Sequence, residues 1–393
     1  MINRPNKTCI LNGTVITPFK TIEKGTVVFE HGKITAIGRT DEIEAPTGGR
    51  VIDASQKVVT PGFIDIHVHG GKGRNVMEAS AKAINELAKF EADHGTTAFL
   101  PTTISASKEE LVDVAKTVRY TMEKETDGAE VLGIHLEGPY ISTEKRGGQD
   151  PDFIRLPSLD EFREILKASD QKVRIVTLAP EVDGAKMLID ELRSRGIVAS
   201  VGHSNATYSE AVNMIKCGIS HAAHVFNGMR NFHHREPGVL GAVLTHDEVT
   251  AELICDGVHV HPAAMKLLTR VKGSKRVVLV TDAISAAGMP DGRCKLGKQD
   301  VIVKNGVCRL VSGELAGSTL TMDVAVRNMV ELVGASLQEA VMMATINPAT
   351  VIGIEDRKGS IELGKEADLV ILDEKLNVCS TIVRGQVLPK SYK

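Results

Sequence analysis

The middle of the chain alternates between short apolar runs and longer segments in which apolar residues recur at helical spacing. Continuous apolar runs predict buried strands of a parallel sheet, and the periodic segments between them predict amphipathic helices. The predicted strands lie at 62–69, 96–103, 130–137, 172–179, 197–203, 219–226, 250–257 and 276–282. The predicted helices lie at 80–95, 107–124, 158–169, 184–196, 207–218, 320–333 and 336–345. Eight strands joined by right-handed crossovers predict an α/β fold, the (β/α)₈ barrel.

A doubly wound parallel sheet is the competing architecture for such an alternation. That fold binds dinucleotides through a glycine-rich turn after its first strand. The sequence contains neither this fingerprint nor a conventional P-loop. The barrel is therefore the favoured fold.

Both ends of the chain have a different residue pattern, which is typical of short strands joined by tight turns. Residues 7–60 are rich in Val, Ile and Thr and are interrupted by the turn signals NG and HGK. Hairpins are also predicted at 300–313 and 359–388. We expect a small β-sandwich domain formed from 1–60 and 350–393, and a catalytic barrel domain over 61–349.

Composition and charge exclude several classes of partner. The formal net charge is −3, aromatic residues make up 3% of the chain and there is no Trp, so neither a basic field nor stacking platforms for nucleic acid are expected. No apolar run reaches the roughly 20 residues that span a bilayer, and no signal peptide is apparent. The six cysteines form no CxxC pair, which argues against a thiolate zinc site or a disulfide framework and favours the cytoplasm.

Histidines and carboxylates follow the predicted strands at the points where each strand ends. Asp65, His67 and His69 share one face of the first strand, because side chains alternate along a strand. The other strand ends carry Glu137, His203, His221, His224, Asp256, His259, His261 and Asp282. A lone histidine is more often structural, but the carboxyl ends of barrel strands meet at one rim. Imidazole and carboxylate ligands without thiolates suit Zn²⁺, Fe²⁺, Mn²⁺ or Co²⁺, so the sequence predicts a metal centre.

Strand periodicity helps to choose among these candidates. His221 and His224 are an odd number of residues apart and would face opposite ways in a regular strand. His224 lies nearer the carboxyl end and is the expected ligand, which leaves His221 as a buried structural residue or one that supports a ligand from behind. His135 shares a face with Glu137 but lies one layer deeper, where it would support a ligand.

Several motifs together resemble the amidohydrolase superfamily and, within it, the family of N-acetylglucosamine-6-phosphate deacetylases. They are TPGFIDIHVHGG at 60–71, HLEGP at 135–139, GHSNATYSEA at 202–211, HVFNGMRNFHHREPG at 224–238, CDGVHVHP at 255–262, VTDAISAAG at 280–288 and LAGSTLTMD at 315–323. The resemblance extends over nearly the whole chain. Many superfamily members bridge two metals with a carboxylated lysine, whereas this chain offers Glu137 on the third strand.

The resemblance implies a role for each matching residue. Glu137, His203 and His224 would bind the main metal, His67 and His69 would bind a second one, and Asp282 would be the catalytic acid and base. His259 would contact the sugar and the reacting acetamide. The sugar-phosphate site would be lined by Gly148, Gln149, Asn227, Gly228, Arg235, Leu315, Ala316 and Gly317.

The loop at 231–238 has two interpretations. By composition it is a solvated basic loop with His233, His234 and Arg235. The resemblance implies instead that Arg235 contacts the phosphate, in its own or in a neighbouring subunit, since a guanidinium binds phosphate through two parallel hydrogen bonds.

The implied reaction is hydrolysis of N-acetyl-D-glucosamine 6-phosphate to D-glucosamine 6-phosphate and acetate, a step of amino-sugar catabolism, with one or two divalent metal ions per chain and a homodimeric assembly. Two alternatives are a relative acting on another N-acetyl hexosamine phosphate or on a cyclic amide, and a scaffold that has lost its metal. The last should lack ligands, and this chain retains them.

Overall fold

The computed structural model describes residues 7–43 and 48–389. Its strands are, in chain order, β1 (Lys7–Ile16), β2 (Thr21–Glu30), β3 (Lys33–Arg39), β4 (Arg50–Asp53), β5 (Val58–Pro61), β6 (Phe63–Val68), β7 (Gly70–Gly71), β8 (Arg74–Asn75), β9 (Thr96–Pro101), β10 (Glu130–Val131), β11 (Ile134–Glu137), β12 (Val173–Leu178), β13 (Val198–Val201), β14 (Ile219–Ala222), β15 (Thr250–Ile254), β16 (Val277–Val280), β17 (Gly292–Leu296), β18 (Gln299–Lys304), β19 (Val307–Leu310), β20 (Leu369–Leu372), β21 (Val378–Val383) and β22 (Gln386–Val387).

The helices alternate with the central strands. They are α1 (Ala81–Asp93), α2 (Lys108–Lys124), α3 (Leu159–Ala168), α4 (Ala185–Ser194), α5 (Tyr208–Cys217), α6 (Gly238–Thr245), α7 (Pro262–Lys272), α8 (Met322–Asn328), α9 (Leu337–Ala344) and α10 (Ile346–Val351). A π-helical turn, Met329–Val333, continues α8. No helix in the described ranges is long and apolar enough to cross a membrane.

The central strands close into the predicted barrel. Parallel pairing runs from β6 to β9 and from β11 through β12, β13, β14 and β15 to β16. A parallel bridge between Thr102 and His135 joins β9 to β11, and one between Val68 and Ala283 joins β16 back to β6. The prediction of a (β/α)₈ barrel is therefore confirmed.

Several barrel helices begin at capping residues, at the positions that the sequence predicts. Ser107 caps α2 by accepting a hydrogen bond from the backbone of Glu110, whose carboxylate in turn accepts one from the backbone of Ser107. This reciprocal pair satisfies amide groups that a helix start leaves unpaired. The same box begins α5 at Thr207 and α9 at Ser336.

Strands from both ends of the chain form one separate sheet, as their residue pattern predicted. Its order is β22-β21-β20-β5-β1-β2-β3, with β4 also paired to β1. This sheet has an apolar core of its own, which contains Ile10, Phe29, Val59, Leu369 and Ile382. The finer division into domains 1–60 with 350–393 and 61–349 stays a proposal.

The hairpin predicted at 300–313 forms, but it belongs to a third sheet. β17, β18 and β19 are inserted between the last barrel strand and α8 and pair with one another only, within the part of the chain that is described. Leu296 and Ala316 of this insertion pack with Ile104, which follows barrel strand β9. The insertion therefore lies over the carboxyl ends of the barrel strands.

A buried ion cluster joins the barrel to the terminal sheet. The Lys358 side chain is 1% exposed, and its Nζ lies 2.7 Å from Glu130 Oε2 on β10 and 2.7 Å from Glu366 Oε2. It also contacts the Asp368 carboxylate, just before β20. Removing the lysine would leave the buried Asp368 carboxylate without its cation, and Glu130 and Glu366 with only the partly exposed Arg357.

Lys358→Met should therefore lower the free energy of unfolding by about 3–5 kcal/mol, the usual cost of breaking a buried ion pair from one side. Urea denaturation followed by circular dichroism measures it. Lys116→Met is the matched control, since Lys116 pairs with Asp113 on an exposed helix face and should change stability by at most about 1 kcal/mol. Equal small losses in both variants would contradict a stabilising role for the cluster.

Candidate metal centre

The Glu137 carboxylate at the end of β11 is the meeting point of four histidines. Oε1 lies 2.9 Å from His224 Nε2, 3.1 Å from His203 Nε2 and 3.3 Å from His67 Nε2, and Oε2 lies 3.4 Å from His69 Nε2. All five side chains are buried. Burial opposes ionisation of Glu137, but the neighbouring imidazoles of His67 and His203 hold the pKa of its carboxyl well below its usual range.

Asp282 closes the same cluster from the end of the eighth barrel strand. Its Oδ1 lies 3.1 Å from His69 Nε2 and 3.7 Å from His67 Nε2. Burial again opposes ionisation, and the hydrogen bond from His69 together with the charge of His67 lowers the pKa of the Asp282 carboxyl below its usual value. A carboxylate at this position is ready to accept a proton.

The Nδ1 atoms of three histidines are fixed by groups that can only accept hydrogen bonds. His67 Nδ1 donates to Glu252 Oε2 at 2.8 Å, His69 Nδ1 to the Thr102 carbonyl at 3.1 Å and His203 Nδ1 to the Lys145 carbonyl at 2.8 Å. A neutral ring then has its lone pair on Nε2, facing the carboxylates. The protonated rings that lower the pKa of the Glu137 and Asp282 carboxyls carry a second proton there.

This donor set fits a divalent metal ion. Lone pairs of imidazole and carboxylate that face one another at about 3 Å repel unless a positive charge lies between them. The buried His67 Nε2 has no hydrogen-bond partner. Two overlapping groups, one of His67, Glu137 and His224 and one of His67, His69 and Asp282, bring their ligand atoms close enough to share an ion. Histidine and carboxylate ligands with no thiolate suit Zn²⁺, Fe²⁺, Mn²⁺ or Co²⁺.

Three of these residues lie just beyond their strands in strained backbone. His203, His224 and Asp282 have φ angles of 47°, 26° and 48°. The predicted strands at 197–203, 219–226 and 276–282 therefore run too far, because the chain leaves the strand at Val201, Ala222 and Val280. Left-handed backbone in a non-glycine residue costs on the order of 1–3 kcal/mol and is concentrated at functional sites.

The other histidines that the sequence analysis considered for this centre lie behind it or outside it. His221 Nε2 lies 2.9 Å from Glu252 Oε1. His135 bonds to the Ile66 carbonyl and to Thr177 Oγ1, and its ring centroid lies 4.5 Å from that of His67. His261 lies outside the centre, where it caps α7.

A cavity of about 220 Å³ opens onto the cluster. It is lined by His69, Ile104, Glu137, Gly147, Gly148, Gln149, His203, His224, Asn227, Gly228, His259, Asp282, Leu296, Leu315 and Gly317. The structure thus brings most of the expected substrate-site residues to one wall. Ala316 is buried behind it, where a Cβ on Gly148 would approach to 3.3 Å.

Two of the lining residues have further contacts that define their position. Gln149 Nε2 donates to Glu137 Oε2 at 2.6 Å, and its Oε1 accepts from the Ser105 backbone at 2.6 Å. His259 Nδ1 lies 2.6 Å from Asp256 Oδ2. Burial lowers the pKa of His259, but the hydrogen bond with Asp256 outweighs burial and raises it above its usual value.

Arg235, unlike the other expected substrate-site residues, lies away from the cavity of its own chain. It is exposed in its loop, where Nη1 lies 2.8 Å from His234 Nε2. The neighbouring Phe232 is 56% exposed. The family resemblance implied that Arg235 contacts the phosphate in its own or in a neighbouring subunit, and its position here fits the second possibility.

Sequence reasoning missed Glu252, Ile104 and Leu296. Glu252 is a single carboxylate inside the apolar strand β15, and a buried acid in such a strand is the signal that could have revealed it. Ile104 and Leu296 carry no chemical signal, since they contribute only apolar wall.

Comparison with known proteins agrees with this geometry. Residues 58–388 match the amidohydrolase family. The chain belongs to the amidohydrolase family. It is 39% identical over 377 residues to an N-acetylglucosamine-6-phosphate deacetylase of Bacillus subtilis, with 95% of each chain covered. It is 40% identical over 337 residues to an N-acetylgalactosamine-6-phosphate deacetylase of Escherichia coli O157:H7, which covers 86% of this chain and 89% of that one.

Among solved structures, the fold is similar to that of a mutant N-acetyl-D-glucosamine-6-phosphate deacetylase from Mycobacterium smegmatis, in complex with N-acetyl-D-glucosamine-6-phosphate. The TM-score is 0.91 at 34% identity, with 98% of this chain and 99% of that one covered. This amidohydrolase therefore shares its family and its fold with sugar-phosphate deacetylases.

Glu137→Gln should weaken metal binding by at least about tenfold, because even residues that only support ligands typically contribute 10–100-fold. The neutral amide loses the charge that attracts the ion. Chelator competition followed by elemental analysis measures this, with the exposed Glu123→Gln as the control. Unchanged affinity in Glu137→Gln would remove this residue from the ligand set.

Proposed function

We propose that this chain hydrolyses the acetamide of N-acetyl-D-glucosamine 6-phosphate to D-glucosamine 6-phosphate and acetate. The observation that carries the proposal is that one cavity holds the Glu137 cluster, Asp282 and His259 together. Its volume of about 220 Å³ is below the roughly 300–1,000 Å³ of sites for drug-sized ligands and suits a single sugar.

We assign the ligand roles as the donor set supports them. Glu137, His203 and His224 would hold one divalent ion, and His67 and His69 would hold a second. Zn²⁺, Fe²⁺, Mn²⁺ and Co²⁺ all suit this set. When bound, a divalent ion lowers the pKa of a water molecule from about 15.7 to about 7 and polarises a carbonyl group.

Asp282 moves the proton in this scheme. Its carboxylate accepts a proton from the attacking water as the oxygen bonds to the acetamide carbon. It returns that proton to the amide nitrogen as the C–N bond breaks, so that the free amine and acetic acid leave. The acid then loses its remaining proton to solvent and becomes acetate.

His259 orients the acetamide and stabilises the charge that develops on its oxygen. Asp256 accepts from Nδ1 and raises the pKa of the ring, so the protonated form, with a donor on Nε2, persists to higher pH. A donor fixed before the reaction stabilises the tetrahedral oxyanion without having to reorient.

We infer that a second copy of the chain completes the phosphate site. No Lys or Arg lines the cavity in the part of the chain that is described, so a phosphate dianion has no cationic partner there. Arg235 is exposed beside the apolar Phe232 on a loop that suits contact with another subunit. We propose a homodimer in which Arg235 of each chain contacts the phosphate in the other chain's site.

We also place the reaction in the cytoplasm, which suits six unpaired cysteines.

A second candidate substrate is the C4 epimer, N-acetyl-D-galactosamine 6-phosphate, which the relative from Escherichia coli O157:H7 supports. Acetate release from both epimers, with and without phosphate, measures the preference on one metal-loaded sample. The proposal expects the highest kcat/KM with the phosphorylated gluco-epimer. Faster turnover of the galacto-epimer would make it the preferred substrate in place of the gluco-epimer. No acetate release from any of the four sugars would overturn the proposed activity.

Asp282→Asn should lower kcat about 10²–10⁴-fold, because the amide cannot carry the proton. Steady-state acetate release measures the loss. The metal content of the same sample is the control, and turnover within a few-fold of the unmodified enzyme would exclude the assigned role.

Arg235→Ala should weaken the binding of the phosphorylated substrate by about 1.5–3 kcal/mol and leave the unphosphorylated sugar unaffected. The KM values of the two substrates measure this selectivity. Mixing Arg235→Ala chains with Asp282→Asn chains should restore activity, because a mixed dimer has one site with both residues intact. Equal losses on both substrates would indicate a structural loop, and no restoration would place Arg235 in its own chain's site.

A further inference from the structure

Glu252 lies beneath the metal centre in the middle of β15 and is fully buried. Its position is fixed by three hydrogen bonds. Oε2 accepts from His67 Nδ1 at 2.8 Å and from the His224 backbone at 3.0 Å, and Oε1 lies 2.9 Å from His221 Nε2. A buried carboxylate needs such partners, because an unpaired one is costly.

The contact with His67 determines which ring nitrogen faces the centre. A carboxylate that remains ionised accepts only, so His67 carries its proton on Nδ1. His67 Nε2 is thereby left with a lone pair, 3.3 Å from Glu137 Oε1 and 3.7 Å from Asp282 Oδ1.

The contact of Glu252 with His224 is made by the backbone N–H of His224 and not by its ring. His224 follows β14 with a φ of 26°, a conformation that a histidine adopts only when its surroundings enforce it. The hydrogen bond from its backbone N–H to Glu252 is one such constraint. It holds the residue where its Nε2 lies 2.9 Å from Glu137 Oε1.

We propose that Glu252 is a positioning residue that links the two halves of the metal centre, by fixing the ring of His67 with one contact and the backbone of His224 with the other. Both contacts are to the same oxygen, so a displacement of this carboxylate disturbs both ligands at once. This inference rests on the metal-dependent function proposed above, and it assigns Glu252 no contact with substrate.

His221 supports Glu252 from the opposite side. Its Nδ1 lies 2.6 Å from Thr250 Oγ1, two residues before Glu252 on the same strand. Thr250 reaches the carboxylate only through His221, which makes Thr250→Val a matched control on β15. Valine replaces the hydroxyl with a methyl group of similar size, and Thr250 contacts no residue that is assigned as a metal ligand.

The first test uses the unmodified chain without metal. Histidine labelled with ¹⁵N reports the protonated nitrogen of each ring, and the signal that disappears in His67→Asn identifies His67. We expect its proton on Nδ1, coupled to a downfield resonance typical of a bond to carboxylate. A proton on Nε2 alone would overturn the proposal, and this readout needs no substitution at Glu252.

The second test measures metal affinity by chelator competition with Zn²⁺. Glu252→Gln should weaken binding 10–100-fold, the usual effect of removing a residue that orients a ligand. Thr250→Val should stay within threefold. Melting curves of the metal-free proteins separate the proposed role from general destabilisation, since a merely structural residue would lower the melting temperature and leave the affinity of the folded protein unchanged.

A double variant tests the route of the effect. In a His67→Asn background, Glu252→Gln should weaken Zn²⁺ binding less than it does in the unmodified chain, because only the His224 contact is left to lose. Equal losses in the two backgrounds would overturn the link through His67. None of these measurements uses acetate release, so failure of the proposed substrate would leave them unaffected.

Discussion

The buried carboxylate of Glu137 is the constraint on which the rest of the site depends. A carboxylate in the barrel interior needs compensating positive charge, and the four imidazoles around Glu137 supply it by being protonated or by holding a metal cation with it. The rings of His67, His69 and His203 are oriented by acceptors on Nδ1, and His224 is held through its backbone N–H. The same arrangement that makes an isolated carboxylate tolerable here provides an ordered set of metal ligands.

Closure of the barrel makes this convergence possible. The ligands come from strands that lie far apart in sequence, and only a closed parallel sheet brings their carboxyl ends to one rim. His203, His224 and Asp282 then leave their strands in left-handed backbone and turn inward. The inserted β17–β19 sheet covers the rim and adds Leu296 to the cavity wall.

Much of this could be predicted because strand periodicity and strand ends are visible in the sequence. His67 and His69 were placed on one face by alternation alone, and the structure directs both toward Glu137. The periodicity argument for His221 and His224 chose the residue beside Glu137, but its premise was wrong. β14 ends at Ala222, so His224 is positioned by a turn and not by alternation.

Other features could not be predicted because they depend on contacts between distant segments. Glu252 acts through His67, which lies 185 positions away in the chain. The sheet to which the 300–313 hairpin belongs follows from its packing on Ile104, which local propensity does not encode. Arg235 lies outside the cavity of its own chain, so the role proposed for it depends on a second subunit, which one sequence does not display.

The central claim is that Glu137 and its histidines form a divalent metal centre. Anomalous X-ray diffraction from crystals of the Zn²⁺-loaded protein, recorded on both sides of the zinc absorption edge, tests it most directly. The account predicts one strong peak among Glu137, His203 and His224 and a second beside His67 and His69. A fully loaded crystal with no anomalous peak in contact with Glu137 would contradict it.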